Sequence, residues 1–252
     1  MPRFPLRLTA ELIRSRFARR SHPVQFIDAA EILHHDSSQP VSLEKIRELT
    51  STNSPAIWIG GAEPLLHPGI SHLVRALTQT GQFVFLETDG TFLRRRIHEF
   101  QPVSRLFLAI RFAPTVSYSS EQTLHPSALQ LAFEGIRAAQ LSGFLIALHA
   151  RIQPDSQLEA LAALFQHAKA INVDGIIATS AASASRAPSA ALQQKISAAQ
   201  KLIGHRQWQF FSKLVDPLLS RESVATTKVS AATTVLPLDQ DSSPTAEEVR
   251  IA

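Results

Sequence analysis

Trp58-Ile-Gly-Gly-Ala-Glu-Pro-Leu-Leu-His-Pro-Gly69 joins a short apolar run, Ala56–Gly60, to a segment of helical period. In that segment Ile70, Leu73, Val74 and Leu77 stand at the i, i+3, i+4 and i+7 positions of one helix face, and Gly81 supplies a stop. A strand turning into a helix through a Gly- and Pro-bearing loop is half of a βαβ unit. The loop therefore leaves the C-terminal end of a strand, where α/β barrels place their sites. Gly60 and Gly61 let a ligand approach the backbone closely. Pro64 biases Glu63 towards an extended conformation, which would hold its carboxylate at the mouth to accept a charge-assisted hydrogen bond from an ammonium group. A tight βα turn with a surface Glu is the plainer alternative.

Working outward, further runs rich in Val, Ile and Phe read as strands at Val24–Asp28, Phe83–Thr88, Leu106–Arg111, Phe144–Ala150 and Gly175–Thr179, with a weaker one at Gln207–Lys213. Helical segments lie between them. Leu129, Ala132, Phe133 and Ile136 share a face ahead of Gly143, and Ser156 and Glu159 have capping-box spacing before Leu161, Leu164 and Phe165. Single helices between strands argue for repeated βαβ units and a parallel sheet. Runs apolar on both faces suit strands covered on both sides. The expected fold is α/β: a partial (β/α)6 TIM-type barrel of parallel strands over residues 22–214. A basic N-terminal lead-in, residues 1–21, precedes it. A polar tail, residues 215–252, is expected to be disordered.

The chain has 252 residues, 44% of them hydrophobic, which supports one sizeable core, and a net charge of +4. Much of the positive excess lies at Arg3, Arg7, Arg14, Arg16, Arg19 and Arg20. Such a lead-in can touch a membrane or nucleic acid, but a surface helix packed on the barrel is the expected reading. With no cysteine, disulfides, thiolate zinc sites and cysteine-ligated iron–sulfur clusters are excluded. No apolar run approaches the ~18 residues of a membrane span, and the N-terminus lacks the apolar stretch of a secretory signal. A soluble, cytoplasmic protein is the default expectation.

Gly60-Gly61-Ala62-Glu63-Pro64-Leu65-Leu66-His67-Pro68 resembles the GGEPLLHP motif of radical S-adenosylmethionine (SAM) enzymes, with one inserted Ala. Val41–Arg47 resembles the helix start before that motif, Phe83–Leu93 the third-strand pattern ending in TNG, Phe133–Phe144 the helix leading into the fifth strand, and Val173–Ile177 the sixth strand. The resemblance spans roughly residues 22–180. It implies a partial barrel in which a CxxxCxxC loop after the first strand holds a four-iron cluster that cleaves SAM. It also implies that the segment carrying Gly60, Gly61, Glu63 and Pro64 meets the methionine amino group, close to Thr88 and Asp89 at the end of strand three. Residues of strands four and five would meet the ribose and carboxylate. Arg111 and Arg151 stand near the C-terminal ends of those strands, where an inward guanidinium grips a carboxylate or phosphate, or merely rims the barrel. Besides the inserted Ala62, the chain departs from the family in three places. The loop after the first strand, Ala29–Pro40, has no cysteine, Asp89 replaces the third-strand Asn, and Ala109 stands where a polar Ser is usual.

His34, His35 and Asp36 are of metal-ligating type, but adjacent histidines rarely face one centre, and no metal site is expected. Arg94-Arg95-Arg96 reads as a solvated helix face, with an anionic partner as the alternative. No catalytic residue is assigned. The leading functional expectation is a radical-SAM-like barrel without its cluster ligands, acting as a non-catalytic regulator or scaffold for another protein. The alternatives are a barrel that binds SAM or another small anionic ligand and performs non-radical chemistry, and a peripheral membrane or nucleic-acid-binding module.

Overall fold

The computed structural model describes residues 4–18, 23–33, 43–51, 54–112, 126–181 and 189–231. Six strands form its sheet: β1 (Val24–Asp28), β2 (Ala56–Gly60), β3 (Phe83–Thr88), β4 (Leu106–Phe112), β5 (Leu145–Ile152) and β6 (Gly175–Ser180). They pair in chain order, every neighbour parallel, and curl into a half-barrel. Strand ends differ from those expected by at most two residues. β2, β3 and β6 are buried along their whole length, as apolar runs covered on both faces require.

Helices cover the outside. α1 (Leu6–Ala18) precedes β1, and α2 (Ala29–Leu33) and α3 (Leu43–Thr50) follow it. α4 (Ile70–Gln79), α5 (Leu93–Arg96), α6 (Pro126–Leu141) and α7 (Leu158–Ala170) follow β2 to β5 in turn. α4 buries Ile70, Leu73, Val74 and Leu77, the face read from the sequence. The Ser156–Glu159 capping box is not made. Gln157 is the residue before α7, and the Ser156 hydroxyl accepts from the Gln153 N–H at 2.9 Å.

After β6 come α8 (Ala190–Leu202) and α9 (Arg206–Ala231). The weak strand expected at Gln207–Lys213 is therefore helix. Its decisive period is 3.6, since Trp208, Phe211, Ser212, Val215 and Leu219 form one buried stripe. α9 also continues past residue 215, where a disordered tail was expected to begin; residues 232–252 lie outside the described residues.

α9 lies along the edge of β6 and also contacts β1. Ser212 Oγ accepts from the Ala178 N–H at 3.2 Å and Asp216 Oδ1 from the Ser180 N–H at 2.6 Å. Gln200 Nε2 of α8 donates to the Ala178 carbonyl at 3.1 Å. Helix side chains thus satisfy an edge that would otherwise await another strand. Gly175 gives Trp208 its place, because a Cβ there would lie 2.1 Å from the indole ring.

The concave face is layered. Trp58, Phe85 and Phe107 stand in register on adjacent strands and stack at 5.7 and 5.0 Å. Phe211 stacks on Phe85 at 4.5 Å, and Phe4, ahead of α1, meets the Trp208 edge at 4.8 Å. With Leu8 and Leu12 fully buried, the basic lead-in engages one apolar face in this core, while Leu6 and Ile13 stay exposed. Towards the C-terminal ends of the strands the aromatic floor gives way to polar residues.

Candidate functional site

The loop after β2 is held by its own side chains. Glu63 is extended, with φ −70 and ψ 105, and precedes a single 3-10 turn at Pro64–Leu66. Its Oε1 accepts from the Thr88 hydroxyl at 2.7 Å and the Leu65 N–H at 3.1 Å, and its Oε2 from the Asp89 N–H at 2.9 Å. Burial raises the Glu63 pKa; these hydrogen bonds oppose the rise and the Asp89 charge adds to it. The carboxylate expected at the mouth thus ties the β2 loop to the end of β3. Arg96 completes the clamp by donating to the carbonyls of Leu65 and His67 while pairing with Glu99. His67 is buried and its Nδ1 accepts from the Gly69 N–H at 2.9 Å, while burial and the Arg96 charge lower its pKa.

Both glycines have an intramolecular reason. A Cβ on Gly60 would lie 2.3 Å from Glu87 Oε2 and 2.9 Å from Trp58 Nε1. One on Gly61, whose φ is +85, would lie 2.3 Å from Asp28 Oδ1. The space they leave is taken by the protein's own carboxylates.

Above the aromatic floor runs a buried polar chain. Trp58 Nε1 donates to Glu87 Oε2 at 3.1 Å. Glu87 Oε1 meets His149 Nδ1 at 3.0 Å, and His149 Nε2 meets Thr179 Oγ1 at 2.8 Å. Arg111 Nη1 lies 3.9 Å from Glu87 Oε1. Burial opposes charge on Glu87, but His149, by charge and hydrogen bond, together with Arg111 and the Trp58 N–H, outweighs it and holds the pKa at about 2. An ionised Glu87 only accepts, so Nδ1 carries the proton and donates. The order carboxylate–imidazole–hydroxyl is that of a nucleophilic triad. Here Thr179 is fully buried, so the chain presents no nucleophile to solvent and serves to hold a charge in the lumen.

Arg111 and Arg151 crown this layer. Arg111 is paired in register with His149, and its Nη1 donates to the Gly61 carbonyl at 3.0 Å, which straps β4 to the β2 loop. Strand alternation places Arg151 on the same face as His149, in register with Thr179. It is half-buried and makes no hydrogen bond or ion pair among the described residues. The structure thus gathers Gly60, Gly61, Glu63, Pro64, Thr88, Asp89, Arg111 and Arg151 at one end of the half-barrel.

The other candidates do not join them. His34, His35 and Asp36 lie outside the described residues. Among the described residues no three His, Cys, Asp or Glu side chains gather as a metal site. Arg94 pairs with Glu134 at 2.5 Å, and Arg96 is a loop clamp rather than part of a solvated face. The four-iron cluster finds no ligands, because the chain has no cysteine and α2 begins directly after β1. Trp58, Glu87, His149 and Thr179 were not singled out from the sequence, although a signal existed. An acid and a base inside two otherwise apolar strands require partners, and each is the other's.

Comparison with known proteins finds no family model that matches the chain and no curated protein that matches its sequence. Among the described residues no helix is long and apolar enough to cross a membrane.

Proposed function

We propose that this chain is a cluster-free, radical-SAM-like half-barrel that binds a small anionic ligand at its mouth and serves a non-catalytic, regulatory role towards another protein. The observation that carries the reading is the pair of guanidiniums on β4 and β5. Arg111 has Glu87 beside it, whereas Arg151 shares the same face with no partner among the described residues. A half-buried cation without a counter-charge among the described residues favours an anion, and a guanidinium matches a carboxylate or phosphate in two parallel hydrogen bonds. SAM is one candidate through its carboxylate. Recognition of its amino group would fall to Glu63, which already accepts three hydrogen bonds.

The non-catalytic reading rests on the burial of Thr179 and on the lack of cysteine. The membrane or nucleic-acid reading is weaker, because Leu8 and Leu12 are already buried.

The test is calorimetric titration with SAM, citrate and inorganic phosphate, for the native chain and for Arg151→Ala. Binding of at least one of them, weakened at least about tenfold by the substitution, is expected. Absence of binding to all three overturns the ligand half of the proposal and leaves the scaffold role.

A further inference from the structure

A groove of about 250 Å³ separates α4 from the segment that leads into β4. It lies at the opposite end of β4 from the mouth. Arg105 and Arg111 are six residues apart on extended chain, so about 20 Å separates them. The floor of the groove is apolar, made by Val74, Phe100 and Leu106, and its walls carry Arg75 and Arg105. The backbone of Arg105 is fixed by the sheet, since its carbonyl accepts from the Val84 N–H at 2.8 Å. Neither guanidinium makes a hydrogen bond or ion pair among the described residues, and no acidic residue lines the groove. The hydroxyl of Ser71, a residue only 7% exposed, also lacks a partner among the described residues.

Two like charges on one cleft repel each other, and an acid group between them removes that cost. Guanidinium forks match oxyanions in particular. The apolar floor then takes the body of the molecule that carries the acid, in the manner of small-molecule sites. We propose that this groove is a second binding site, for a small organic anion with a flat apolar body and one phosphate or carboxylate head. The head lies between Arg75 and Arg105 and the body against Phe100. This site is independent of the ligand at the mouth.

Phenyl phosphate and benzoate are the probes, titrated into the full chain by calorimetry and followed by nuclear magnetic resonance. Saturable binding of at least one, with Kd on the order of millimolar, is expected. Their ranking tells whether the head is phosphate or carboxylate. Removing both arginines (Arg75→Ala with Arg105→Ala) should weaken binding at least about tenfold. Ser104→Asp keeps both arginines, places an acid at an exposed wall position, and should weaken it comparably. Read at the resonances of Phe100 and Leu106, which separate this groove from the mouth, binding should be unchanged in Arg151→Ala. Failure of both probes to shift the groove resonances saturably, shifts there that survive loss of the two arginines, or an equal loss of them in Arg151→Ala would each overturn the proposal.

Discussion

Glu87 on β3 and His149 on β5 meet across the intervening strand, Oε1 to Nδ1 at 3.0 Å. The β4 residue in register with Glu87 is Ala109, and the β2 position beside it is Gly60. Small residues on both flanks leave room for an acid and a base to bridge a strand. The small side chain at Ala109 is thus explained by packing inside the lumen.

Removing Glu87 leaves the Trp58 Nε1–H and the His149 ring buried without their acceptor. Glu87→Ala should cost about 3–5 kcal/mol of unfolding free energy in urea denaturation. A cost below about 1 kcal/mol would mean that water already reaches the chain.

The acid response has a defined sign. The Glu87 pKa falls from an ordinary 4.5 to about 2 on folding, so its stabilisation is fully present above about pH 4.5 and is lost as the pH drops towards 2. Glu63 and Asp216 act oppositely. Burial raises both, so their ionisation costs stability as the pH rises through their folded values. The stability gap between the native chain and Glu87→Gln should therefore narrow from pH 4.5 to pH 2 in parallel denaturant series. A gap constant across that window would contradict the assigned charge state.

Gly60→Ala should destabilise by about 1–3 kcal/mol, because its Cβ and Glu87 Oε2 cannot share one place. In Glu87→Ala the same change should cost less. Additive costs in a double-mutant cycle would show that the two positions do not compete.

Glu63→Ala removes three hydrogen bonds from the β2 loop and should cost on the order of 2 kcal/mol in thermal or urea denaturation. Arg151→Ala removes none and should change stability by less than about 0.5 kcal/mol. A titration with the Arg151 variant therefore isolates binding, whereas one with the Glu63 variant mixes binding with folding.

Legibility in the sequence followed the locality of the cause. Val and Ile runs, the period of α4 and the Gly81 stop gave the βα order, because each depends on neighbours a few residues away. Gln207–Lys213 misled because Trp208, Phe210 and Phe211 carry strand propensity, while burial beside β6 selects the helical stripe. The site was legible as a place: Gly60, Glu63, Arg111 and Arg151 do reach one end of the sheet. The roles of the first two were not, because the atoms that claim them belong to Glu87, Thr88 and Asp89, brought near by sheet register alone.

The strand order repeats the chain order, so during synthesis each βα unit can settle on the one before it. Completion cannot proceed that way. Until α9 leaves the ribosome, the Ala178 and Ser180 amides lack Ser212 and Asp216, and the aromatic floor lacks Trp208 and Phe211. Phe4, made well before α9, waits for that helix to supply the Trp208 edge it packs against. The nascent half-barrel thus passes through a stage with an open parallel edge, in which a chaperone or a neighbouring nascent chain competes with α9 for the same two amides.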